Sequence, residues 1–250
     1  MTVNVIDHDT RDPQKQWRPV KLGTVKDHTL LVMKKMAALM KGRADLSEQQ
    51  RFMLMMAALL HDVGKPAAGR KNGCKPGRNW PDVHDHDAVG APLAKEWAAK
   101  LGLTLAEQDQ LYRMTLLHMQ MHKLGQMKSL YKVLKITTQD CFKELCLLAK
   151  ADSEGCIKTT VDDEEVDIDE ALLTPLVKKA LTYKKLPPRI VRGDDLIEAG
   201  LKPGPAFAFR LEVAHKLQID NGITDKAQLL RQALAAELPV SLKKKEMKKK

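Results

Sequence analysis

Residues 48–66 read EQQRFMLMMAALLHDVGKP. From Glu48 to Leu60 the apolar side chains recur at spacings of three and four, the period of one face of an α-helix. Asp45 and Ser47 stand before this stretch as N-cap candidates, and Gly64-Lys65-Pro66 is expected to end the helix. The apolar run closes on His61-Asp62, an adjacent pair that is costly to bury at a core helix end unless its charge is compensated. A divalent cation provides that compensation, because neutral imidazole and carboxylate are both metal ligands. A purely structural role for the pair is the weaker reading.

The same helical spacing returns at Thr29–Met40, Ala88–Leu101, Ala106–Leu117 and Phe142–Ala151. Aromatic residues make up only 4% of the 250, while Leu, Ala, Met, Lys and Gln are abundant. Straight-chain residues lose little side-chain freedom in a helix, and valine-rich alternation is scarce, so an all-α body is expected. At 44% hydrophobic residues the chain can fill a sizeable core, which excludes wholesale disorder. No apolar run approaches the ~18 residues of a membrane span. Met1–Thr10 lacks a signal-peptide pattern, and Cys74, Cys141, Cys146 and Cys156 form no CxxC pair. Reduced thiols in a cytoplasmic protein with no membrane partner are therefore expected.

The formal net charge is +10, but its distribution matters more than its size. Residues 243–250 hold six lysines against one glutamate, a low-complexity end that contributes half of that charge. Lys178–Arg192 carries six basic residues and no acidic one. Pro66–Pro81 reads as an irregular loop because it contains Gly69, Gly73, Pro76 and Gly77. It also carries Arg70, Lys71, Lys75 and Arg78 without an acidic residue, beside Trp80 as a stacking or packing surface. Such local basicity suits a polyanionic partner.

Six of the eight histidines fall between His28 and His122. His28 opens a helix in DHTLLVM, and Asp152 closes one in LLAKADSEG. His118 and His122 lie four apart in HMQMH, hence on one helical face. His8 and His215 are read as incidental, and Met53, Met55 and Met56 as core filling. Cys156 lies near Asp152 but is read as a plain thiol. Asp167-Ile168-Asp169 is formally a DxD pair, yet no Gly-rich turn precedes it.

The pattern His28 … His61-Asp62 … Asp152 resembles the HD superfamily of metal-dependent phosphohydrolases. DHTLLVM, HDVGKP, HMQMH, KADSEG and the stretch 192–215, RGDDLIEAGLKPGPAFAFRLEVAH, are similar to the HD-containing, C-terminal half of bacterial CCA-adding tRNA nucleotidyltransferases. The resemblance covers roughly residues 22–235. Those enzymes begin with a nucleotidyltransferase head, for which residues before His28 are too few, so a headless relative without CCA addition is expected.

The resemblance implies a fold and a site. It divides the chain into an N-terminal extension (1–21), an HD domain (22–160), a helical C-terminal region like the tRNA-contacting part of the CCA enzymes (161–238) and a basic tail (239–250). His28, His61, Asp62 and Asp152 would ligate one ion. His86, His118 and His122 would supply a second, with Asp62 able to bridge. His86 is favoured over His84 because it fits the family's H-x-x-x-G-x-P through Gly90 and Pro92. The ion, one or two per site, could be Ni, Mn, Co, Mg, Fe or Zn. Asp62 and Lys65 are expected to be catalytic. Lys65 would pair with a phosphate (the alternative being an exposed C-terminal charge on the helix), and Arg70, Lys71, Lys75 and Arg78 would bind substrate. The implied activity is hydrolysis of 2′,3′-cyclic phosphates on RNA ends, tRNA included, or on cyclic nucleotides, with 2′-nucleotidase and phosphatase activity alongside. Two alternatives stand beside it: an HD nucleotidase acting on 5′-monophosphates or dNTPs, and a non-catalytic tRNA-binding module. The sequence specifies no oligomeric state.

Overall fold

A computed structural model describes residues 24–74, 81–156, 167–239 and 242. The sequence expectations for residues 1–21, for Lys75, Arg78 and Trp80, and for the Lys-rich end at 243–250 fall outside the described residues. Among the described residues the structure is helical, with no strand and one isolated bridge between Cys74 and Pro81. It divides into two compact units that interleave along the chain.

The first unit takes the described residues up to Gly125 together with Asp140–Leu173. It contains α1 (Val25–Met40), α2 (Glu48–Leu60), α3 (Lys65–Asn72), α4 (His86–Lys100), α5 (Leu105–Met121), α7 (Phe142–Gly155) and α8 (Ile168–Leu173). Three of its helices open with reciprocal capping boxes: Thr24 with Asp27, Ser47 with Gln50, and Thr104 with Glu107. Each satisfies two orphan N–H groups. Asp45, the other candidate cap of α2, is instead paired with Arg43.

The core of this unit is lined by Val32 and Met36 of α1, Leu54 and Ala57 of α2, Leu111 and Met114 of α5, and Leu145 and Leu148 of α7, all fully buried. Replacing Leu54 by Ala would cost about 2–5 kcal/mol, the usual range for emptying such a site. Ala91, Ala94 and Ala98 give α4 a small-residue face, also fully buried. That face lets α4 pack closely along α5. Met53 and Met56 are buried in the core as their pattern indicated, whereas Met55 is only half-buried.

One local expectation is overturned. Residues 66–72, read from sequence as the start of an irregular loop at Pro66–Pro81, belong to α3. Pro66 sits in the first turn, where its missing N–H costs nothing, and Ala67-Ala68 favour helix. Gly69 is needed for space rather than flexibility, since a Cβ there would meet Pro81 Cβ at 2.9 Å. The helix then ends at Gly73, with φ of +65°.

The second unit combines Gln126–Gln139 with the described residues from Thr174 onward. It holds α6 (Leu130–Thr137), α9 (Pro175–Leu181), α10 (Gly193–Glu198), α11 (Pro205–Asp220) and α12 (Lys226–Ala235). Val191, Ala214, Leu229 and Ala233 form its buried cluster, against which Ile190, Leu211, Leu217 and Leu230 pack. His215 is buried here, between the carbonyl of Pro187 at 2.8 Å and Arg189 Nε at 3.4 Å. Lys178, Lys179, Lys184, Lys185, Arg189 and Arg192 are exposed on this unit.

Candidate metal centre

Five elements of the first unit deliver six ligand-type side chains to one place. α1 contributes His28 from its first turn, and the turn after α2 contributes His61 and Asp62. His86 opens α4, His118 lies in the last turn of α5, and Asp152 lies near the end of α7. His61, Asp62, His86, His118 and Asp152 are all buried.

Two glycine contacts bring these elements together. A Cβ on Gly64 would lie 2.0 Å from the His86 carbonyl oxygen and 2.5 Å from Gly90 N, so the α2–α3 turn meets α4 backbone to backbone. A Cβ on Gly155 would lie 2.6 Å from Val32 Cγ2, which sets the end of α7 directly against α1. The first contact fixes His86 beside Asp62, and the second fixes Asp152 beside His28.

The side chains form two groups of three, His28–His61–Asp152 and Asp62–His86–His118, each with its ligand atoms within 4.8 Å of one another. Asp62 joins them. Its Oδ1 lies 3.2 Å from His86 Nε2 and 3.8 Å from His118 Nε2. Its Oδ2 lies 3.3 Å from His61 Nε2 and 3.5 Å from His28 Nε2.

Four imidazoles are held by the backbone in the same way. His61 Nδ1 meets Ala58 O at 2.9 Å, His86 Nδ1 meets Val83 O at 3.0 Å, His118 Nδ1 meets Thr115 O at 2.7 Å, and His28 Nδ1 meets Gly155 O at 3.3 Å. A carbonyl only accepts, so in each case Nδ1–H donates and the Nε2 lone pair is left facing inward. His28 Nε2 then confronts His61 Nε2 at 3.2 Å, and His86 Nε2 confronts His118 Nε2 at 3.2 Å. Lone pairs at that separation repel unless a proton or a cation lies between them. A ring N–H given to a backbone carbonyl is the usual arrangement around a metal-ligating histidine. The donor set, four imidazoles and two carboxylates, therefore fits divalent metal ions.

The electrostatics point the same way. Burial disfavours the charged form of His61, but Asp62 and Asp152 outweigh it and raise the imidazole to about 9. Burial, with His61 next, lowers His118 to about 4. Burial acts to raise Asp62 and Asp152 as well. Yet both carboxyls are held well below the ordinary range by the facing histidines, with Lys65 helping at Asp62. The site is a concentrated negative field in which a proton on His61 occupies the electrostatic role open to a metal cation.

A family model described as "HD domain" matches residues 25–153, more than half of the chain. The chain belongs to the HD domain family. An HD domain indicates a metal-dependent phosphohydrolase, and all six side chains lie within the matched span or at its edge. The chain is also similar to "Multifunctional CCA protein" of Legionella pneumophila subsp. pneumophila (strain Philadelphia 1), being 27% identical over 128 residues. That match covers 49% of this chain and 29% of the relative, so it spans less than a third of the relative's length.

The remaining sequence candidates fall in different places. Lys65 is not an exposed residue at a helix end. It begins α3, is 12% exposed, and brings Nζ to 2.6 Å from Asp62 Oδ2. That oxygen has no hydrogen-bond partner, so Lys65 faces it as an ion pair off the bonding direction. Arg70 and Lys71 stand exposed in the last turn of α3. His84 is exposed and paired with Asp85, so His86 is the histidine of this stretch that enters the site.

His122, expected beside His86 and His118, goes elsewhere. Its Nε2 lies 2.8 Å from Asp152 Oδ2. Four residues on from His118, it shares a helical face but sits about 6 Å further along the axis, which is enough to reach the other carboxylate. In the DxD stretch, Asp167 Oδ1 accepts the N–H groups of Asp169 and Glu170, while Asp169 pairs with Lys150. Those residues start α8. Cys156 is exposed and belongs to neither group.

The four backbone anchors and the Gly64–Gly90 contact were not read from sequence. Three anchors do have a local signature, since Ala58, Val83 and Thr115 each lie three residues before the histidine they hold. The fourth, Gly155 to His28, is long-range and has none.

Proposed function

We propose that this HD protein is a 2′,3′-cyclic phosphodiesterase acting on RNA 3′ ends or on small cyclic nucleotides. The observation that carries the reading is Asp62, whose two oxygens face two separate His/Asp groups. His28, His61 and Asp152 would hold one divalent ion, and His86 and His118 a second, with Asp62 shared. Such ions lower the pKa of coordinated water toward ~7 and take up charge on phosphate oxygens.

Opening a cyclic phosphate adds water across one P–O bond. A new P–O bond forms, the bond to one ribose oxygen breaks, and that oxygen leaves with a proton. The chain's own contribution is placement and charge. The carbonyls of Ala58, Val83, Thr115 and Gly155 keep four Nε2 lone pairs aimed inward, so little reorganisation is needed during reaction. Lys65 carries an ammonium at the rim of the Asp62 group, where an anionic phosphate oxygen would meet it. Arg70 and Lys71 extend positive charge along the exposed end of α3.

RNA is favoured as the substrate class by two features. The relative that matches 49% of this chain carries a CCA-protein name, and Lys178, Lys179, Lys184, Lys185, Arg189 and Arg192 are exposed on the second unit. The test is a substrate panel with several divalent metals, containing 2′,3′-cyclic AMP, RNA ending in a 2′,3′-cyclic phosphate, 5′-monophosphates and dNTPs. Metal-stimulated turnover of the cyclic phosphates supports the reading. Preference for 5′-monophosphates or dNTPs makes the protein a nucleotidase instead. Salt-sensitive tRNA binding without any turnover makes it a binding module.

A further inference from the structure

The pattern of histidine tautomers separates one residue from the rest. His28, His61, His86 and His118 each spend Nδ1–H on a backbone carbonyl and aim a bare Nε2 inward. At His122 the arrangement is reversed. Its Nε2 faces a carboxylate oxygen, Asp152 Oδ2, at 2.8 Å, and a carboxylate only accepts. His28 Nε2 also stands 3.0 Å from this carboxylate, at Oδ1, but its ring N–H is already given to the Gly155 carbonyl; among the described residues no carbonyl meets His122 Nδ1, so the ring proton of His122 is available on Nε2 for Oδ2.

The two oxygens of Asp152 divide accordingly. Oδ1 lies 3.0 Å from His28 Nε2 and 3.6 Å from His61 Nε2, whereas Oδ2 is taken by His122. His122 completes neither three-residue group. It caps the end of α5, one turn beyond His118, so a single helix serves both carboxylates by different means: His118 faces Asp62 and His122 holds Asp152.

We infer that His122 is a positioning residue and not a metal ligand: its Nε2–H holds Asp152 Oδ2 so that the carboxylate offers Oδ1 alone to an ion bound with His28 and His61. The inference rests on the metal-site reading above. Without His122, Asp152 is free to rotate or to offer both oxygens, and it must be fixed at the moment of binding. Loss of a hydrogen bond that orients a ligand weakens metal affinity by about 10–100-fold.

The test compares the full-length wild-type chain with His122→Phe, which keeps a ring but no donor, and His122→Gln, whose side-chain amide retains an N–H. Each is stripped of metal and titrated with Co(II), following binding by calorimetry and ligand field by visible absorption. The expected result is that His122→Phe binds as many ions as wild type, one of them about 10–100-fold more weakly, while His122→Gln stays within about threefold of wild type with the same spectrum. If His122→Phe binds one ion fewer, or if its Co(II) bands show a lost nitrogen ligand, His122 is a ligand and the inference fails. Unchanged affinity in His122→Phe also overturns it. Should His122→Phe not fold, the Gln variant decides, because more than tenfold weakening there contradicts a donor role. Wild-type protein that takes up no divalent ion sinks the metal reading itself. Normal uptake by the wild type together with any of the contrary variant results sinks only the role of His122.

Discussion

Gly64 and Gly90 cross backbone to backbone, and this contact sets His86 at 3.2 Å from Asp62 Oδ1. A methyl group on Gly64 would have to occupy space 2.0 Å from a carbonyl oxygen, and a carbonyl in a helix cannot turn aside as a flexible side chain can. Gly64→Ala should therefore force the α2–α3 turn away from α4. Overpacking of this kind costs about 1–3 kcal/mol, and rigid backbone on both sides favours the upper end. Chemical denaturation should show that loss, and metal titration should show the Asp62–His86–His118 group weakened more than the His28–His61–Asp152 group. A variant with wild-type stability and both groups intact would contradict the close approach.

Asp62 belongs to one group and faces His28 and His61 of the other through Oδ2, so its charge should matter more than its shape. Asp62→Asn preserves volume and removes the anion that faces four histidines and Lys65. Turnover of 2′,3′-cyclic AMP is expected to fall by about 10²–10³-fold or more, the scale at which one preorganised charge-stabilising group is lost. Far-UV circular dichroism should remain helical, because Asp62 caps no helix in the core. Retained turnover in this variant would exclude the bridging role.

Protons and metal compete for the same field, which gives a pH dependence of known sign. The folded-state value of His61, about 9, lies above its ordinary 6.5. Its protonation therefore stabilises the metal-free fold fully below about pH 6.5, and that stabilisation is lost as pH rises through about 9. His118 acts at the other end, since its value of about 4 lies below 6.5 and stability falls as pH drops from 6.5 toward 4. Metal-free protein should thus be most stable between these limits and should lose melting temperature on the alkaline side toward pH 10. A bound ion replaces the His61 proton, so loading at pH 7 should release about one proton per chain, measurable by calorimetry in buffers of different ionisation enthalpy. Metal affinity should rise by about tenfold per pH unit up to about pH 9. Affinity independent of pH over this range would mean that His61 is already neutral.

The HD residues were legible in sequence because each stands where an apolar helical run stops. His61-Asp62 after Met56-Ala57-Ala58-Leu59-Leu60 and Asp152 after Leu147-Leu148-Ala149 break the pattern that buries their neighbours. Helix starts were legible at Ser47 through side-chain capping chemistry. α3 was hidden because its glycines resemble loop punctuation, whereas Gly69 is there to clear Pro81. His122 was grouped with His118 because spacing reports the helical face and not the ~6 Å of rise between the two residues. Which of two carboxylates each histidine meets depends on how α7 packs, and periodicity carries no information about that.

Lys65 holds Asp62 Oδ2 at 2.6 Å while remaining 12% exposed, so it is at once a counter-charge to the site and a group within reach of solvent. Its two possible effects have opposite signs on different quantities. As a cation beside the ligand cluster it opposes a second cation by Coulomb repulsion. As a rim ammonium it attracts the anionic substrate. Lys65→Met keeps the aliphatic stem and removes the charge. Metal should then bind more tightly, about tenfold or a little over 1 kcal/mol. Catalytic efficiency on 2′,3′-cyclic AMP at saturating metal should nevertheless fall, by about 10–100-fold as expected for one charge-assisted contact to phosphate. Tighter metal binding with unchanged efficiency would reduce Lys65 to a counter-ion. Weaker metal binding would show instead that the ammonium is needed to hold Asp62 in place, and both roles assigned to it here would have to be abandoned.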